Sequence, residues 1–260
     1  IKLLARLFCV QEEGVFTKKD ISNYYSQSEE ILSKDINYTP IEVYDKFLSY
    51  FTSLESKIVS CEQTPNNIYY INEILNHFPN AKVINMVRDQ RAVLCSQKNK
   101  WRRRFLGSTK IPIREMLRSY FNYHPILTAK IWERSLRHTC SIQNHNRVSV
   151  VRFEDLLNSP KQVINDLCSF LEISFSENML EVPLIGSSLE KDSKDVFMID
   201  KSRSNKWKEN GLTKSEIYLS QVFSYKMMRR FSYPLDNFSF PPPSIIFDLS
   251  ILPVKLLFSF

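Results

Sequence analysis

An arginine that directly follows a short apolar run, and a serine on the helix after it, are residue types that bind phosphate groups. Arg88 directly follows the apolar residues 83–87, and Ser96 lies on a helix predicted to begin near Asp89. A guanidinium binds phosphate oxygens in a bidentate manner and a hydroxyl adds a neutral donor, while the helix start offers free N–H groups. The pattern indicates an anion site, although a helix cap with a surface ion pair would produce the same Arg-Asp sequence.

An open parallel sheet is the arrangement that would position such residues. Three short apolar runs, at residues 58–61, 82–87 and 148–151, are bounded by polar residues and separated by helical patterns. This alternation predicts an α/β fold with a central parallel sheet flanked by helices. Ligands of such sheets lie at the carboxyl ends of the strands, so function is expected from the residues that follow each run. These runs are followed by Glu62, Arg88 and Arg152.

Helix and loop signals surround the three runs. A helix is predicted over residues 39–54, because the T-P-I-E sequence at its start places a hydroxyl, a proline and a carboxylate where a capping box needs them. Residues 113–145 have a helical pattern that Pro125 should break or kink. Residues 181–205 have no clear period and predict a loop or lid, whereas residues 214–230 predict a final helix.

Length and composition favour one sizeable domain over two small ones. The chain has 260 residues, of which 43% are hydrophobic, and can bury a large core. We expect a single domain over residues 1–240, followed over residues 241–260 by a proline-rich start and an apolar tail. Since charged residues and a proline interrupt the tail, and it falls short of the ~20 residues of a spanning helix, it is expected to be packed or surface-lying rather than transmembrane.

The net charge indicates which class of ligand to expect, and the cysteines indicate which cellular compartment. The formal net charge of +7 favours a polyanionic ligand, although a solvated basic surface would have the same balance. A nucleic acid is not expected, because basic and aromatic residues are not interleaved along a strand pattern. The five cysteines are scattered, unlike a disulfide framework or a metal site, so a reducing compartment such as the cytoplasm is predicted. The four histidines also lack metal-ligand spacing.

Several segments, in order along the chain, together resemble the core of the sulfotransferases. The first are C-E-Q-T-P at residues 61–65 and F-P-N-A-K-V-I-N-M-V-R-D-Q-R-A-V at residues 78–93, with Ser96 beyond. The others are V-R-F-E-D-L-L-N-S-P at residues 151–160 with L-C-S-F-L at residues 167–171, similar to "R-Y-E-D-L … P … L-x-x-F-L", and S-N-K-W-K at residues 204–208. The last of these is similar to the Trp-Lys/Arg stretch that closes over the nucleotide.

The resemblance implies a fold related to the nucleotide kinases and the sulfuryl donor 3′-phosphoadenylyl sulfate (PAPS), without a metal. It assigns the 3′-phosphate to Arg88 and Ser96, with Lys100 as a further cation. It also places Lys206 near phosphate and Trp207 packing nearby. The implied activity is in-line transfer to a hydroxyl or amine acceptor, which the sequence leaves open as a glycan, a lipid, a small molecule or a protein tyrosine. Many relatives are Golgi-lumenal, so this compartment is the alternative to the cytoplasm.

Two departures from the family pattern qualify this assignment. The Gly-containing loop of the type "R-S-G-T-T", which wraps the 5′-phosphosulfate, is absent, and we expect it to lie before residue 1 in an N-terminally truncated chain, with its strand and the usual catalytic carboxylate. Gln63 stands where many relatives have lysine. Glu62 is then a candidate for substrate orientation or proton transfer, or a cap of the next helix.

Two functional hypotheses follow from the sequence. The first is a sulfotransferase, and the second is a catalytically inactive, sulfotransferase-like module that binds a nucleotide or another anion. A nucleoside-phosphate kinase would need a G-x-x-x-x-G-K-[ST] loop, which is not recognisable. A basic cluster surrounds Trp101 and either steers an acidic acceptor, lines the nucleotide mouth or is a solvated helix face. The cluster consists of Lys98, Lys100, Arg102, Arg103 and Arg104.

Overall fold

The computed structural model describes residues 1–33, 36–209 and 211–258 of the chain. The chain divides into two compact units, Ile1–Pro65 and Asn66–Phe260. The single domain expected over residues 1–240 stays a prediction. The last two residues of the tail expected over residues 241–260 lie outside the described residues.

The first unit is helical, with α1 (Lys2–Glu13), α2 (Tyr25–Ile31) and α3 (Pro40–Leu54). The predicted capping box is confirmed, because the Thr39 hydroxyl accepts from the Glu42 N–H while the Glu42 carboxylate accepts from the Thr39 N–H at 2.7 Å. Phe8 of α1 lies with its ring 5.5 Å from that of Phe47 on α3. The buried core of this unit consists of Leu4, Phe8, Leu32, Val43 and Phe47.

A parallel pair of strands lies at the centre of the second unit. β1 (Val83–Val87) pairs with β2 (Val148–Arg152), and α4 (Ile71–His77) precedes them. The register sets Val83 opposite Val148 and Val87 opposite Arg152. The expected α/β class with a parallel sheet is therefore confirmed.

The prediction of a strand at residues 58–61 is wrong. These residues belong to neither sheet of the described chain, and the side chains of Ile58 and Val59 are 98% and 70% exposed. A strand is stabilised by a hydrogen-bonded neighbour and by cross-strand side-chain contacts. Residues 58–61 have no such neighbour in the described chain and therefore form no strand.

Helices connect the two strands and cover them. Between the strands lie α5 (Gln90–Asn99), a 3₁₀ helix (Lys100–Phe105), α6 (Ile113–Phe121) and α7 (Pro125–Ile142). The helix break expected at Pro125 is confirmed, because α6 ends before it and α7 begins with it. His124 caps α7, its Nδ1 accepting from the Ile126 N–H at 3.2 Å.

The remaining elements follow β2 along the chain. They are α8 (Phe153–Asn158), α9 (Pro160–Leu171), the antiparallel pair β3 (Pro183–Leu184) and β4 (Ser193–Phe197), α10 (Lys206–Glu209), α11 (Lys214–Arg230) and α12 (Ile245–Phe258). Residues 181–205, expected to be a loop, therefore contain a short hairpin. α11 packs along α7, and the core between the sheet and these helices consists of Val87, Trp132, Leu136, Met228 and Tyr233.

Candidate functional site

Arg88 lies directly beyond the carboxyl end of β1, where its main-chain oxygen accepts a hydrogen bond from Trp132 Nε1 at 2.9 Å. The guanidinium carbon lies 4.4 Å from the centre of the Phe153 ring, and Nη2 donates to the main-chain oxygen of Arg203 at 2.8 Å. Burial lowers the pKa of Arg88. Its buried Nε has no hydrogen-bond partner among the described residues. The guanidinium is thus positioned by the Phe153 ring and the Arg203 main-chain oxygen, and its Nε–H can donate a further hydrogen bond.

Ser96 lies on α5, the helix that starts beside Arg88. Its half-buried hydroxyl accepts from the hydroxyl of the buried Ser188 at 3.3 Å. The preceding residue on α5 is Cys95; burial raises the pKa of its thiol, and the positive charges of Lys98 and Arg88 oppose that rise. The positive charge of Arg88 therefore acts on the turn of α5 that carries Ser96. The shared phosphate site of Arg88 and Ser96 stays a prediction.

Trp207 packs on the same helix. It is buried, and it forms a cluster with Ala92 and Cys95 of α5. The guanidinium carbon of Arg91 lies 4.2 Å from the centre of a Trp207 ring. The structure thus brings the β1–α5 corner and the segment around Trp207 together, although they are far apart in sequence.

Lys206 is already paired with carboxylates. Its ammonium lies 3.1 Å from the Asp200 carboxylate and also contacts Glu190. Its side chain is 15% exposed. The predicted phosphate contact would compete with these two carboxylates, so Lys206 is the least available of the cations expected near the nucleotide.

Two further predicted site residues, Lys100 and Glu62, have exposed side chains. Lys100 is exposed and begins the 3₁₀ helix that follows α5, four residues beyond Ser96. Glu62 is exposed in the first unit, and the residues directly before it, 58–61, do not form a strand. Its charge, after burial, raises the pKa of Tyr44, which places it near α3. The roles of both residues stay predictions.

Arg203 is a candidate site residue that the sequence patterns did not indicate. Its main-chain oxygen accepts from Arg88 Nη2 at 2.8 Å, and after burial its charge contributes to the lowered pKa of Arg88. Its buried Nε lies 3.7 Å from the Asp200 carboxylate, beyond hydrogen-bond distance, and has no partner among the described residues. The basic K-S-R sequence at residues 201–203, just before Lys206, is the signal that could have identified it.

Glu154, just beyond β2, is hydrogen-bonded to the chain just beyond β1. One carboxylate oxygen accepts from the Asp89 N–H at 2.9 Å, and the other accepts from the Tyr233 hydroxyl at 3.1 Å. Burial and the charge of Glu154 raise the pKa of Tyr233. Glu154 thereby supports the chain turn that presents Arg88, which is a positioning role.

Metal binding and membrane crossing are the two remaining points on the class of site. No group of three or more histidine, cysteine or acidic side chains could hold a metal ion within residues 1–33, 36–209 and 211–258. In the same parts of the chain, every helix is too short or too polar to cross a membrane.

Comparisons with known proteins bear on the family and on the fold. A model of the "Sulfotransferase family" matches residues 12–177, whereas no curated protein matches the sequence. The chain is similar in structure to the "Sulfotransferase Domain from the Curacin Biosynthetic Pathway", with 20% identity and a TM-score of 0.51 over 90% of this chain and 79% of that one. It is also similar to the "Sulfotransferase Domain from the Synechococcus PCC 7002 Olefin Synthase", with 20% identity and a TM-score of 0.50 over 90% and 82% of the two chains. These structures confirm the expected fold.

Proposed function

The chain belongs to the sulfotransferase family, and from that premise we propose that it moves a sulfuryl group from PAPS to a hydroxyl or amine acceptor. The observation that carries this proposal is that Arg88 and Arg203, joined by the hydrogen bond from Arg88 Nη2 to the Arg203 main-chain oxygen, each have a buried Nε without a partner among the described residues. Buried polar groups are normally hydrogen-bonded. Two unsatisfied cationic donors at the end of a parallel strand fit a polyanionic nucleotide.

The proposed roles follow from where each side chain lies. Arg88 and Ser96 hold the 3′-phosphate, and Arg203 supplies a second positive charge beside it. Trp207 packs on α5 and fixes the segment that carries Arg203. Lys100 adds a cation past the end of α5, and the bound PAPS supplies the sulfuryl group.

Transfer in this site depends on positioning and on positive charge. In-line attack by the acceptor builds negative charge on the leaving 5′-phosphate oxygen, and a cation beside that oxygen lowers the barrier. Arg88 and Arg203, at the 3′-phosphate, contribute by fixing the position of the donor. We assign Glu62 the orientation of the acceptor or the uptake of its proton, a scheme that needs no metal. The acceptor is a glycan, a lipid, a small molecule or a protein tyrosine. The scattered placement of the five cysteines along the sequence favours a reducing compartment such as the cytoplasm.

Nucleotide selectivity tests the proposed donor site. We expect 3′,5′-adenosine bisphosphate to bind at least about a hundredfold more tightly than 5′-AMP, because the added phosphate gains two charge-assisted hydrogen bonds worth about 1.5–3 kcal/mol each. Isothermal titration calorimetry on the full chain measures both affinities. 5′-ADP is the matched control, since it adds a phosphate at the wrong position. Equal affinity for the three nucleotides would contradict the proposal.

The placement of the glycines favours a second candidate function, an inactive nucleotide-binding module. The phosphosulfate loop of sulfotransferases is expected between a parallel strand and a helix, whereas the four glycines follow α1, follow the 3₁₀ helix, lie in the β3–β4 hairpin or precede α11. These are Gly14, Gly107, Gly186 and Gly211.

Donor turnover separates the two candidates. An enzyme releases 3′,5′-adenosine bisphosphate from PAPS when an acceptor is added, whereas a binding module binds the bisphosphate without turnover. We expect acceptor-dependent release, measured by chromatography of the nucleotides against a panel of the four acceptor classes. Tight bisphosphate binding with no release for any class would favour the module.

A further inference from the structure

In helix α12 the charged side chains are partly buried and the large apolar side chains are exposed. Its two charged side chains, Asp248 and Lys255, are half-buried, and one carboxylate oxygen of Asp248 is fully buried. Its largest apolar side chains instead face solvent, with Ile246 76%, Phe247 68% and Leu257 70% exposed. A helix of a water-exposed surface shows the opposite arrangement. The exposed face of α12 therefore matches the chemistry of an apolar neighbour.

Two contacts fix α12 to the second unit in this orientation. Because His124 Nδ1 accepts from the Ile126 N–H, its Nε2 donates, and it lies 2.9 Å from the main-chain oxygen of Asp248. The Lys255 ammonium donates to the main-chain oxygen of Tyr120 at 3.4 Å and lies 5.7 Å from the centre of its ring. These contacts place α12 beside the end of α6.

Helix α6 continues the apolar surface. Its exposed apolar residues recur at spacings that put them on one face. They are Ile113, Leu117, Tyr120 and Phe121. The Tyr120 ring contacts those of Phe121 at 5.4 Å and Trp101 at 5.9 Å, and Trp101 in turn contacts the exposed Phe105 at 6.4 Å. We call this surface, formed by α6, α12, Trp101 and Phe105, the apolar face.

Cations surround the apolar face. Residues 98–121 contain eight lysines and arginines and one carboxylate, Glu115. No ion pair to a carboxylate is seen in the described chain for Lys100, Arg102, Lys110 and Arg114, all exposed. A cavity of about 420 Å³ lies between α5, α6 and α12. Its lining includes Lys98, Trp101, Arg102, Tyr120 and Lys255.

We propose that the apolar face lies on a membrane surface rich in anionic phospholipids, with a lipid phosphate entering this basic cavity. Exposed leucine, isoleucine and aromatic side chains insert at the headgroup boundary, and surrounding lysines and arginines add attraction to anionic lipids. A second copy of the chain is a poorer occupant, because each copy carries a net charge of +7 and the same cations would face each other. The proposal does not depend on sulfuryl transfer, and Lys100 is the cation that this surface shares with the proposed donor site.

Vesicle co-sedimentation of the full chain tests the proposal. We expect binding to vesicles of phosphatidylcholine and phosphatidylserine to exceed binding to phosphatidylcholine alone by at least about tenfold, and to weaken as salt is raised. Ile246→Ser/Leu257→Ser and Lys110→Gln/Arg114→Gln should each weaken binding by about tenfold or more. The matched controls on α7, Ile131→Ser and Arg137→Gln, should bind like the parent chain. Circular dichroism checks that each variant is folded.

Equal binding of the parent chain to the two kinds of vesicle, or binding to neither, would overturn the proposal without any variant. Size-exclusion chromatography provides the other decisive result. A concentration-dependent dimer that the Ile246→Ser/Leu257→Ser variant abolishes would show that a second copy, and not a membrane, covers the apolar face.

Discussion

Replacement of Arg88 by alanine is expected to weaken binding of 3′,5′-adenosine bisphosphate by about a hundredfold. The guanidinium lies at the carboxyl end of β1, supported by Phe153 and by the Arg203 main chain, with a buried Nε that lacks a partner in the described chain. A bidentate arginine–phosphate contact comprises two charge-assisted hydrogen bonds worth about 1.5–3 kcal/mol each. Calorimetry of the parent chain and the variant measures the loss. Arg88→Lys should recover only part of it, because lysine lacks the planar fork.

The selectivity of the same variants separates a phosphate contact from a structural role. Loss of a 3′-phosphate contact removes the preference for 3′,5′-adenosine bisphosphate over 5′-AMP and leaves 5′-AMP binding nearly unchanged. A disturbed fold would weaken both nucleotides together, and that result would count against the assignment. Arg137→Ala is the matched control, since Arg137 is exposed on α7 and pairs only locally with Glu133. It should bind both nucleotides like the parent chain.

Local sequence was sufficient to predict the corner that presents Arg88. A five-residue apolar strand, a charged residue at its end and a helix start beyond it are all local signals, and the structure has β1, Arg88 and α5 in that order. The same reasoning failed at residues 58–61, because composition indicates only that a segment tolerates the extended conformation. Whether it becomes a strand depends on a distant partner, and Ile58 has none in the described chain.

The residues that complete the site could not be predicted from local patterns. Ser188 and Arg203 lie in or next to the short hairpin after β2, within residues that show neither a helical nor a strand period. Their contacts with Ser96 and Arg88 span 92 and 115 positions along the chain. Only tertiary packing, here the burial of Trp207 against α5, brings such a segment to the β1–α5 corner.

Arg91 is at the centre of a buried network that fixes this corner. Its side chain is 2% exposed, and it donates to both carboxylate oxygens of Asp89, through Nε at 3.0 Å and Nη2 at 2.7 Å. Nη1 donates to Asp236 at 2.9 Å, and the guanidinium stacks on Trp207. Burial alone would lower the pKa of Arg91, but its hydrogen bonds with Asp89 and Asp236 and their charges raise it. The arginine therefore stays charged.

Replacement of Arg91 by methionine is expected to lower the free energy of unfolding by about 3–5 kcal/mol, because it leaves the carboxylate of Asp89 buried and unpaired. Urea denaturation followed by tryptophan fluorescence measures the change in the second unit, which contains all three tryptophans. In Arg91→Met/Asp89→Asn the unpaired charge is gone, so the double variant should be more stable than Arg91→Met. Arg137→Met, which breaks an exposed pair, should change stability by no more than about 0.5 kcal/mol. If Arg91→Met and Arg137→Met behaved alike, the buried network would not be what stabilises the corner that presents Arg88.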